Sequence, residues 1–252
     1  MKIIVQMNRF KQIFEELRQL KEGFKTSEPI SLTSEQLEAS NKQTEERFTK
    51  ISTLSTDLAQ RGWYLHDKMP LKYINMLRPL LRTNKYAEVD AHMITYLCHA
   101  FREIEQEIIS AFPERAEILS AAFLGHHRKD YALCIPVFLA QADGICSELL
   151  GVGVYSRAKG IPKTASAVER FKDKFTSAFL EPLRVSGALN ANEKEKHQYP
   201  DILNRHEVLH GKSLDYATSI NSFRAISLLC YLCSTVFSER AFEEFKKQEG
   251  QI

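Results

Sequence analysis

The stretch YALCIPVFLAQADGICSELLG, residues 131–151, decides the fold. It is the most apolar segment of the chain, which predicts the central helix of a hydrophobic core. Pro136 lies close to its beginning, where a proline is expected to cap the helix or to kink it. The rest of the chain must supply the elements that pack around this helix.

Nearly every other segment also has a helical pattern, and the sequence contains neither an alternating strand pattern nor an Asn-Gly hairpin turn. Further helices are predicted over 70–82, 84–112, 114–127 and about 218–247. Pro70 and Pro113 suit the first turns of their helices, and the last helix presents a broad apolar face. The predicted fold class is therefore all-α, a helical bundle.

The first 60 residues are predicted to form a helical extension. Apolar residues at a spacing of three and four indicate a helix over 10–20, and a polar linker separates it from a second helix. The second helix has few apolar residues, so we expect it to be peripheral or to pack along a narrow seam. The turn RGWYLHDKMP then opens a more apolar region. We place a domain boundary here, with an extension over 1–60 and a helical domain over 61–252.

Length and composition indicate a globular protein with room for a large core. The chain has 252 residues, 34 of them basic and 32 acidic, and a formal net charge of +2, so a contact with RNA requires a local basic patch. The N-terminal segment is interrupted by charges too early for a signal peptide. No stretch of the sequence approaches the roughly 20 uncharged apolar residues of a membrane span, so a membrane-spanning helix is not expected. The expected location is the cytoplasm, without a membrane partner.

The five cysteines, an odd number within apolar helical patterns, are expected to be reduced and buried. Cys230 and Cys233 have the spacing of a metal or redox pair, but a helical core stripe gives the same spacing. His126 and His127 are interpreted as cations near the carbonyl end of a helix rather than as a metal site. We predict no metal site and no cofactor.

A basic segment, GVGVYSRAKGIPKTASAVERFKDK at 151–174, follows the central helix. It lacks the residue order of a phosphate-cradling P-loop. Two interpretations remain open. The segment is either a solvated connection or a loop whose Arg157, Lys159 and Lys163 contact an RNA backbone beside an active site.

The stretch NRHEVLHG, residues 204–211, fits two catalytic motifs at once. Taken from His206 it fits H-E-x-x-H, the motif in which two histidines one helical turn apart bind zinc. Glu207 would then act as the base, and a third protein ligand would be needed.

The surroundings of this zinc motif are incomplete. Its extended form is absent, because Ser213 and Tyr216 replace the glycine and the third histidine of that pattern. Gly211 also indicates that the helix ends or bends immediately after His210, although a ligand helix would normally continue. We keep a zinc hydrolase as an alternative function.

Taken from Arg205, the same stretch fits R-x-x-x-x-H and resembles the HEPN superfamily. Members carry Arg, a polar residue, three further residues and His, often followed by Gly, and the corresponding residues are Arg205, His206, His210 and Gly211. The resemblance covers roughly the last 120 residues, with a HEPN-like core at about 130–250. It implies a helical bundle and a metal-independent endoribonuclease of bacterial phage defence or stress response, which leaves 2′,3′-cyclic phosphate ends.

The resemblance also implies a role for each motif residue. His210 would transfer a proton, because an imidazole titrates near neutral pH. Arg205 would stabilise the charge that builds on the phosphoryl oxygens. His206 would orient the phosphate or serve as the second proton-transfer group, and Asn204 is expected to hold one of these side chains in place.

Asp143 is the acidic residue in the middle of the apolar core helix. A carboxylate is costly to bury without a partner, and Arg205 is the natural partner for it. The alternative is that Asp143 lies on the exposed side of its helix or caps a break at Gly144.

Arg205 and His210 are five positions apart, which on a regular helix separates them by about 140°. In the resembled family two protomers bring their motifs together in one cleft, so a homodimer is part of the functional hypothesis. The toxin branch that an antitoxin modifies on a tyrosine carries Tyr two residues after the motif His, where this chain has Lys212, so the resemblance does not extend to that modification. A regulatory or antitoxin protein is a further candidate partner. Some HEPN domains lack catalysis, so a helical interaction or dimerisation module is the main alternative.

Overall fold

Helices make up most of the protein. The computed structural model describes residues 34–66, 68–171, 174–192 and 194–236. The chain divides into two compact units, Met1–Glu46 and Arg47–Ile252. The predicted helix over 10–20, the linker after it and the end of the last predicted helix lie outside the described residues. The all-α character predicted from the sequence is confirmed.

The first described helix, α1, spans Ser34–Gln60. Its last turns belong to the second unit, where Leu54, Leu58 and Ala59 are buried in the hydrophobic core. Leu54 and Leu58 are one turn apart on the same side of the helix. The scarcity of apolar residues in this helix thus leads to a narrow seam of packing, as expected.

Four helices follow in close agreement with the predicted ranges. They are α2 (Leu71–Arg82), α3 (Tyr86–Ala111), α4 (Ala116–His127) and α5 (Tyr131–Leu150). Pro113 opens a 3₁₀ turn that leads into α4. Pro70 is the N-cap residue of α2 and not part of its first turn. Both prolines still occupy positions where a missing N–H costs no helical hydrogen bond.

The later elements are shorter, except for the last helix. They are α6 (Thr164–Val168), α7 (Lys174–Leu180), α8 (Arg205–Leu209) and α9 (Ser219–Tyr231). Short 3₁₀ turns connect α7 to α8, at Glu181–Leu183, Ala188–Asn190 and Lys196–Gln198. Helix α9 is buried from Ser222 to Tyr231 and continues as a π-helical turn over Leu232–Val236.

Helix α5 is the centre of the core, as its composition predicts. It packs between α4 and α9, and its buried side is apolar along the whole helix, including Ile135, Phe138, Leu139, Ala142, Ile145 and Cys146. Pro136 lies inside the helix without ending it. Because proline has no N–H, the carbonyl group of Ala132 has no helical donor.

By length and composition, α5 is also able to cross a membrane. Half of its most apolar window is buried inside the protein, and the core helix of a soluble protein has the same properties. The expectation that no stretch approaches a membrane span is therefore too strict for this helix. One such helix does not establish an association with a membrane.

The basic segment after α5 contains a small hairpin that the sequence does not predict. Strand β1 (Arg157–Ala158) pairs antiparallel with β2 (Ile161–Pro162). The two residues between them, Lys159 and Gly160, have positive φ angles of 51° and 83°, as a two-residue hairpin turn of the primed type requires. The turn was missed because Lys-Gly replaces the usual Asn-Gly.

Cysteine burial follows the prediction at four of five positions. The thiols of Cys134, Cys146, Cys230 and Cys233 are buried and in no disulfide bond, whereas Cys98 is exposed. Burial raises the pKa of the Cys146 thiol to about 12, which leaves it uncharged and inert. The prediction was wrong for Cys98 because this residue lies on the solvent side of α3.

The two histidines that end α4 have different environments. His127 is exposed and lies 3.1 Å from a carboxylate oxygen of Glu105. His126 is buried, and its Nδ1 lies 2.7 Å from the Ser222 hydroxyl. Burial, followed by the neighbouring His127, lowers the pKa of His126 to about 4. His126 is therefore neutral near neutral pH, and its interpretation as a cation at the helix end was wrong.

Candidate active site

The motif helix α8 begins at an asparagine cap. Asn204 is buried, and its Oδ1 accepts a hydrogen bond from the Glu207 backbone N–H at 3.2 Å. Its Nδ2 donates to the carbonyl oxygens of Ala188, at 3.3 Å, and Ala191, at 3.0 Å. Asn204 thus fixes the start of α8 against a 3₁₀ turn. It contacts backbone groups, and the expectation that it holds an Arg205 or histidine side chain was wrong.

Helix α8 ends before His210. The His210 N–H still donates to the carbonyl of His206, at 3.1 Å, but His210 is already the C-cap residue. Gly211 then takes a left-handed φ of 66°, which glycine adopts at no steric cost. The helix ends where Gly211 predicted, so the two histidines of H-E-x-x-H are not carried by one continuous helix.

His206 and His210 nevertheless lie side by side. Their ring centroids are 4.3 Å apart and the rings are tilted by 54°. His206 is half-buried and His210 is exposed. Within the described residues, no protein group makes a hydrogen bond to either ring. Both imidazoles are therefore available to a ligand at the surface.

Arg205 extends in another direction and lies on an aromatic ring. Its guanidinium carbon is 5.0 Å from the centroid of the Tyr155 ring, a cation–π distance. Its Nε is buried without an acceptor. The Tyr155 hydroxyl donates to the carbonyl of Leu139 at 3.3 Å. Burial raises the pKa of Tyr155 well above its ordinary value, so the ring beneath Arg205 is a neutral phenol.

Asp143 binds the backbone of the same tyrosine. Its Oδ1 accepts a hydrogen bond from the Tyr155 N–H at 3.3 Å, and Gly153 leaves room for the carboxylate, since a Cβ there would lie 2.5 Å from Oδ1. Asp143 and Arg205 do not form an ion pair within the described part of the chain. The predicted pairing is thus replaced by contacts of both residues with Tyr155.

Gly144 does not break α5, which contradicts the alternative role predicted for Asp143 as a cap. The helix runs through this position, and the missing side chain makes room for Arg115. A Cβ at Gly144 would lie 2.9 Å from the guanidinium nitrogens. Arg115 in turn donates to Gln141 at 2.7 Å and pairs with Glu148. The glycine therefore serves packing, and Asp143 itself is half-buried rather than exposed.

Glu207, the base of the zinc motif, is engaged in an ion pair. Its Oε1 lies 2.7 Å from the Lys196 Nζ, and its side chain is only 16% exposed. Among the residues that the structure describes, no three His, Cys, Asp or Glu side chains are grouped so as to hold a metal ion. The third ligand that the zinc motif needs is thus not found in that part of the chain.

The three predicted RNA-binding residues, which lie in the hairpin or directly after it, have different contacts. Arg157 pairs with Glu195 and also donates to the Ser186 hydroxyl, at 2.7 Å. Its hydrogen bond lowers the pKa of Glu195. Lys159 and Lys163 are exposed and point to solvent. Arg157 is therefore a structural residue, and the two lysines are free to contact a polyanion.

The segment before α8 links the hairpin to the motif. Glu195 binds Arg157 of the hairpin, and the next residue, Lys196, binds Glu207 of α8. Two consecutive residues thus tie both elements to one short turn. The basic hairpin is in this way connected to the motif by side-chain contacts.

Tyr216 anchors the loop that follows the motif. Its hydroxyl donates to the carbonyl of Ala132 at 2.8 Å, which is the group that Pro136 leaves without a helical donor. The proline inside the core helix therefore creates an acceptor for the motif loop. Tyr155 and Tyr216 were not predicted as site residues. Pro136 is the only sequence signal for the contact of Tyr216 with Ala132. No sequence signal indicates the contact of Tyr155 with Arg205.

The motif supplies a guanidinium, which lies on Tyr155, and two accessible imidazoles, which are the kinds of group that bind a phosphate and move protons. Models of protein families, curated proteins and solved structures all give no match to this chain. The resemblance to the HEPN superfamily therefore rests on the motif residues themselves.

Proposed function

We propose that this protein is a metal-independent endoribonuclease of the HEPN type. The observation that carries the proposal is the pair formed by His206 and His210, whose rings are 4.3 Å apart and which follow Arg205 on the same short helical segment. Neither ring is engaged by a described protein group.

The proposed reaction is a transesterification within the RNA backbone. The ribose 2′-oxygen forms a bond to the adjacent phosphorus while the bond from phosphorus to the 5′-oxygen breaks. His210 accepts the 2′-hydroxyl proton, and His206 gives a proton to the leaving 5′-oxygen. Arg205 binds the non-bridging oxygens through its terminal nitrogens. The products are a 2′,3′-cyclic phosphate and a free 5′-hydroxyl end.

A homodimer is part of this proposal. The guanidinium of Arg205 is placed on Tyr155, whereas His210 is exposed at the end of α8. A second copy facing this surface would add a second Arg and His set to one cleft. A role in bacterial defence or stress response, a cytoplasmic location and a regulatory or antitoxin partner belong to the same proposal, by analogy with the family.

The test is cleavage of a mixed cellular RNA pool in excess EDTA. Wild-type protein should give fragments with 2′,3′-cyclic phosphate ends, and His210→Ala and Arg205→Ala should abolish them while remaining folded. The exposed His127, changed to Ala, is the matched control and should leave cleavage unchanged. Intact RNA with the wild type would contradict the proposal. Stoichiometric zinc in the same preparation would then favour the hydrolase, and its absence an interaction module.

A further inference from the structure

The motif lies within a segment whose two ends both contact one buried arginine. This segment runs from Asp201 to Asn221 and carries α8 and the histidines, and its Leu203 and Val208 are buried in the core. Arg224 of α9 donates from Nη1 to the Asp201 carbonyl, at 3.4 Å, and to the Asn221 Oδ1, at 3.2 Å. One guanidinium nitrogen thus contacts both ends of this segment, which we call the motif loop, residues 201–221.

Arg224 is itself held in place by the core. Only 3% of the side chain is exposed, and its Nη2 lies 3.3 Å from the Asp90 carboxylate. Trp63 covers the guanidinium at 5.5 Å, and the indole N–H donates to the same carboxylate at 2.7 Å. A buried pair of this kind is costly to break, because the remaining charge would lack a partner. The guanidinium is therefore a fixed point for the loop.

Asn221 connects the fixed guanidinium to Tyr216, which lies within the motif loop. Its Nδ2 donates to the carbonyl of Tyr216 at 3.0 Å, and the Tyr216 hydroxyl is bound to Ala132 of α5. The loop is thus held at both ends by Arg224 and near its C-terminal end by α5. Between these points lie the cap at Asn204 and the short helix with the histidines.

We infer that Arg224 is a positioning residue for the candidate active site, acting through Asp201, Asn221 and Tyr216. Within the described residues it makes no hydrogen bond or ion pair with a motif side chain. Its effect is to limit the opening of the motif loop, so that His206 and His210 keep their relative placement. The catalytic consequence rests on the proposed function, but the effect on loop opening does not.

The first test measures backbone hydrogen exchange in Asn221→Ala and Tyr216→Phe. The hydrogen-bonded amides of the loop that serve as probes are those of Glu207, Val208, His210, Gly211, Lys212 and Ser213. Each variant removes one or two anchoring hydrogen bonds, so exchange of these amides should accelerate about tenfold. Exchange in α5 should stay as in the wild type. Unchanged exchange in the loop, or an equal increase throughout the chain, would overturn the inference.

Two controls separate positioning from general stability. Tyr86→Phe removes an exposed tyrosine hydroxyl that donates to Asn84, at 2.6 Å, away from the loop. Ile108→Val shortens a buried side chain of α3 and lowers global stability. Neither should accelerate exchange selectively in the motif loop. A selective increase with either control would show that the loop responds to any loss of stability, which would also overturn the inference.

Arg224→Lys tests the arginine itself. Lysine keeps a cation for Asp90 but lacks the second nitrogen that reaches the loop. Fluorescence of Trp63, the only tryptophan of the chain, reports whether the core pair is kept. With that signal retained, we expect the same local increase in exchange and about a tenfold lower rate of RNA cleavage. Wild-type protein without cleavage would reject the proposed function, while the exchange results would still decide the positioning role.

Discussion

Arg205 lies over the ring of Tyr155, with 5.0 Å between the guanidinium carbon and the ring centroid. The tyrosine is placed by the turn after the core helix, where its N–H donates to Asp143 and its hydroxyl to Leu139. The core helix thus determines where the cation of the motif is held. This relationship ties the catalytic proposal to a residue outside the motif.

Replacing the ring of Tyr155 is expected to weaken RNA cleavage more than removing its hydroxyl. Tyr155→Phe keeps the cation–π contact and loses one hydrogen bond, at a cost of about 1 kcal/mol in stability. Tyr155→Leu loses the ring, and we expect cleavage to fall about tenfold further. Cleavage rates and melting temperatures of both variants test this. Equal rates in the two variants would mean that the ring does not hold Arg205 in its active position.

Removing one partner of the buried pair of Arg224 and Asp90 should cost far more stability than removing one partner of an exposed pair near the start of α3. Arg224 is 3% and Asp90 18% exposed, so Asp90→Ala leaves a buried charge without its partner. We expect a loss of about 3–5 kcal/mol in the free energy of unfolding.

The matched control is Glu88 on α3, which pairs with Lys85 at 2.9 Å with both side chains about half exposed. Glu88→Ala should cost less than about 1 kcal/mol. Urea denaturation of both variants measures the difference. Similar losses in the two variants would mean that the core tolerates an uncompensated Arg224 charge.

The fold could be predicted where local pattern and packing agree. The apolar run over 131–151 fixed the central helix, and helical spacing with flanking prolines gave α2, α3 and α4 nearly to their ends. The hairpin at Lys159 and Gly160 was missed because its turn uses an unusual residue pair. Exposure of Cys98 was missed because the side of a helix that faces solvent depends on its neighbours.

The site could be predicted only in part. The motif letters place Arg205, His206 and His210 on one short helical segment, and Gly211 gives the end of the helix. The direction of each side chain is set by distant contacts, such as those of Asn204 with the turn at Ala188–Asn190. No spacing rule in the sequence contains that information. The ion pair predicted between Asp143 and Arg205 failed for this reason.

Lys159 and Lys163, rather than Arg157, are expected to contribute to RNA binding. Lys159 and Lys163 are exposed. Their joint replacement by Ala should weaken RNA binding, and the slope of log K against log salt concentration should become less steep by about 0.7 for each lost phosphate contact. Arg157→Ala should instead destabilise the fold by about 1–3 kcal/mol, because Glu195 loses its partner. Binding isotherms at several salt concentrations and thermal unfolding distinguish the two. Weaker binding by a fully stable Arg157→Ala protein would assign that arginine to the RNA interface.

Acidification should destabilise the protein through the buried His126. Its ring stacks on Phe101 at 4.8 Å and meets the Ser222 hydroxyl, and burial lowers its pKa from 6.5 to about 4. The unfolded chain therefore takes up this proton first as the pH falls. The contribution of His126 to stability is complete above about pH 6.5 and decreases as the pH falls toward about 4, by at most about 1.4 kcal/mol for each pH unit.

Urea denaturation at about pH 7.5 and about pH 5 measures this loss, and His126→Phe isolates it. The variant keeps an aromatic ring beside Phe101 but cannot titrate, so the difference between its two unfolding free energies should be smaller than in the wild type by up to about 2 kcal/mol. His99→Gln, an exposed histidine of α3, is the control and should preserve the wild-type difference. An unchanged difference in His126→Phe would mean that His126 gains its proton without opening the core between α4 and α9.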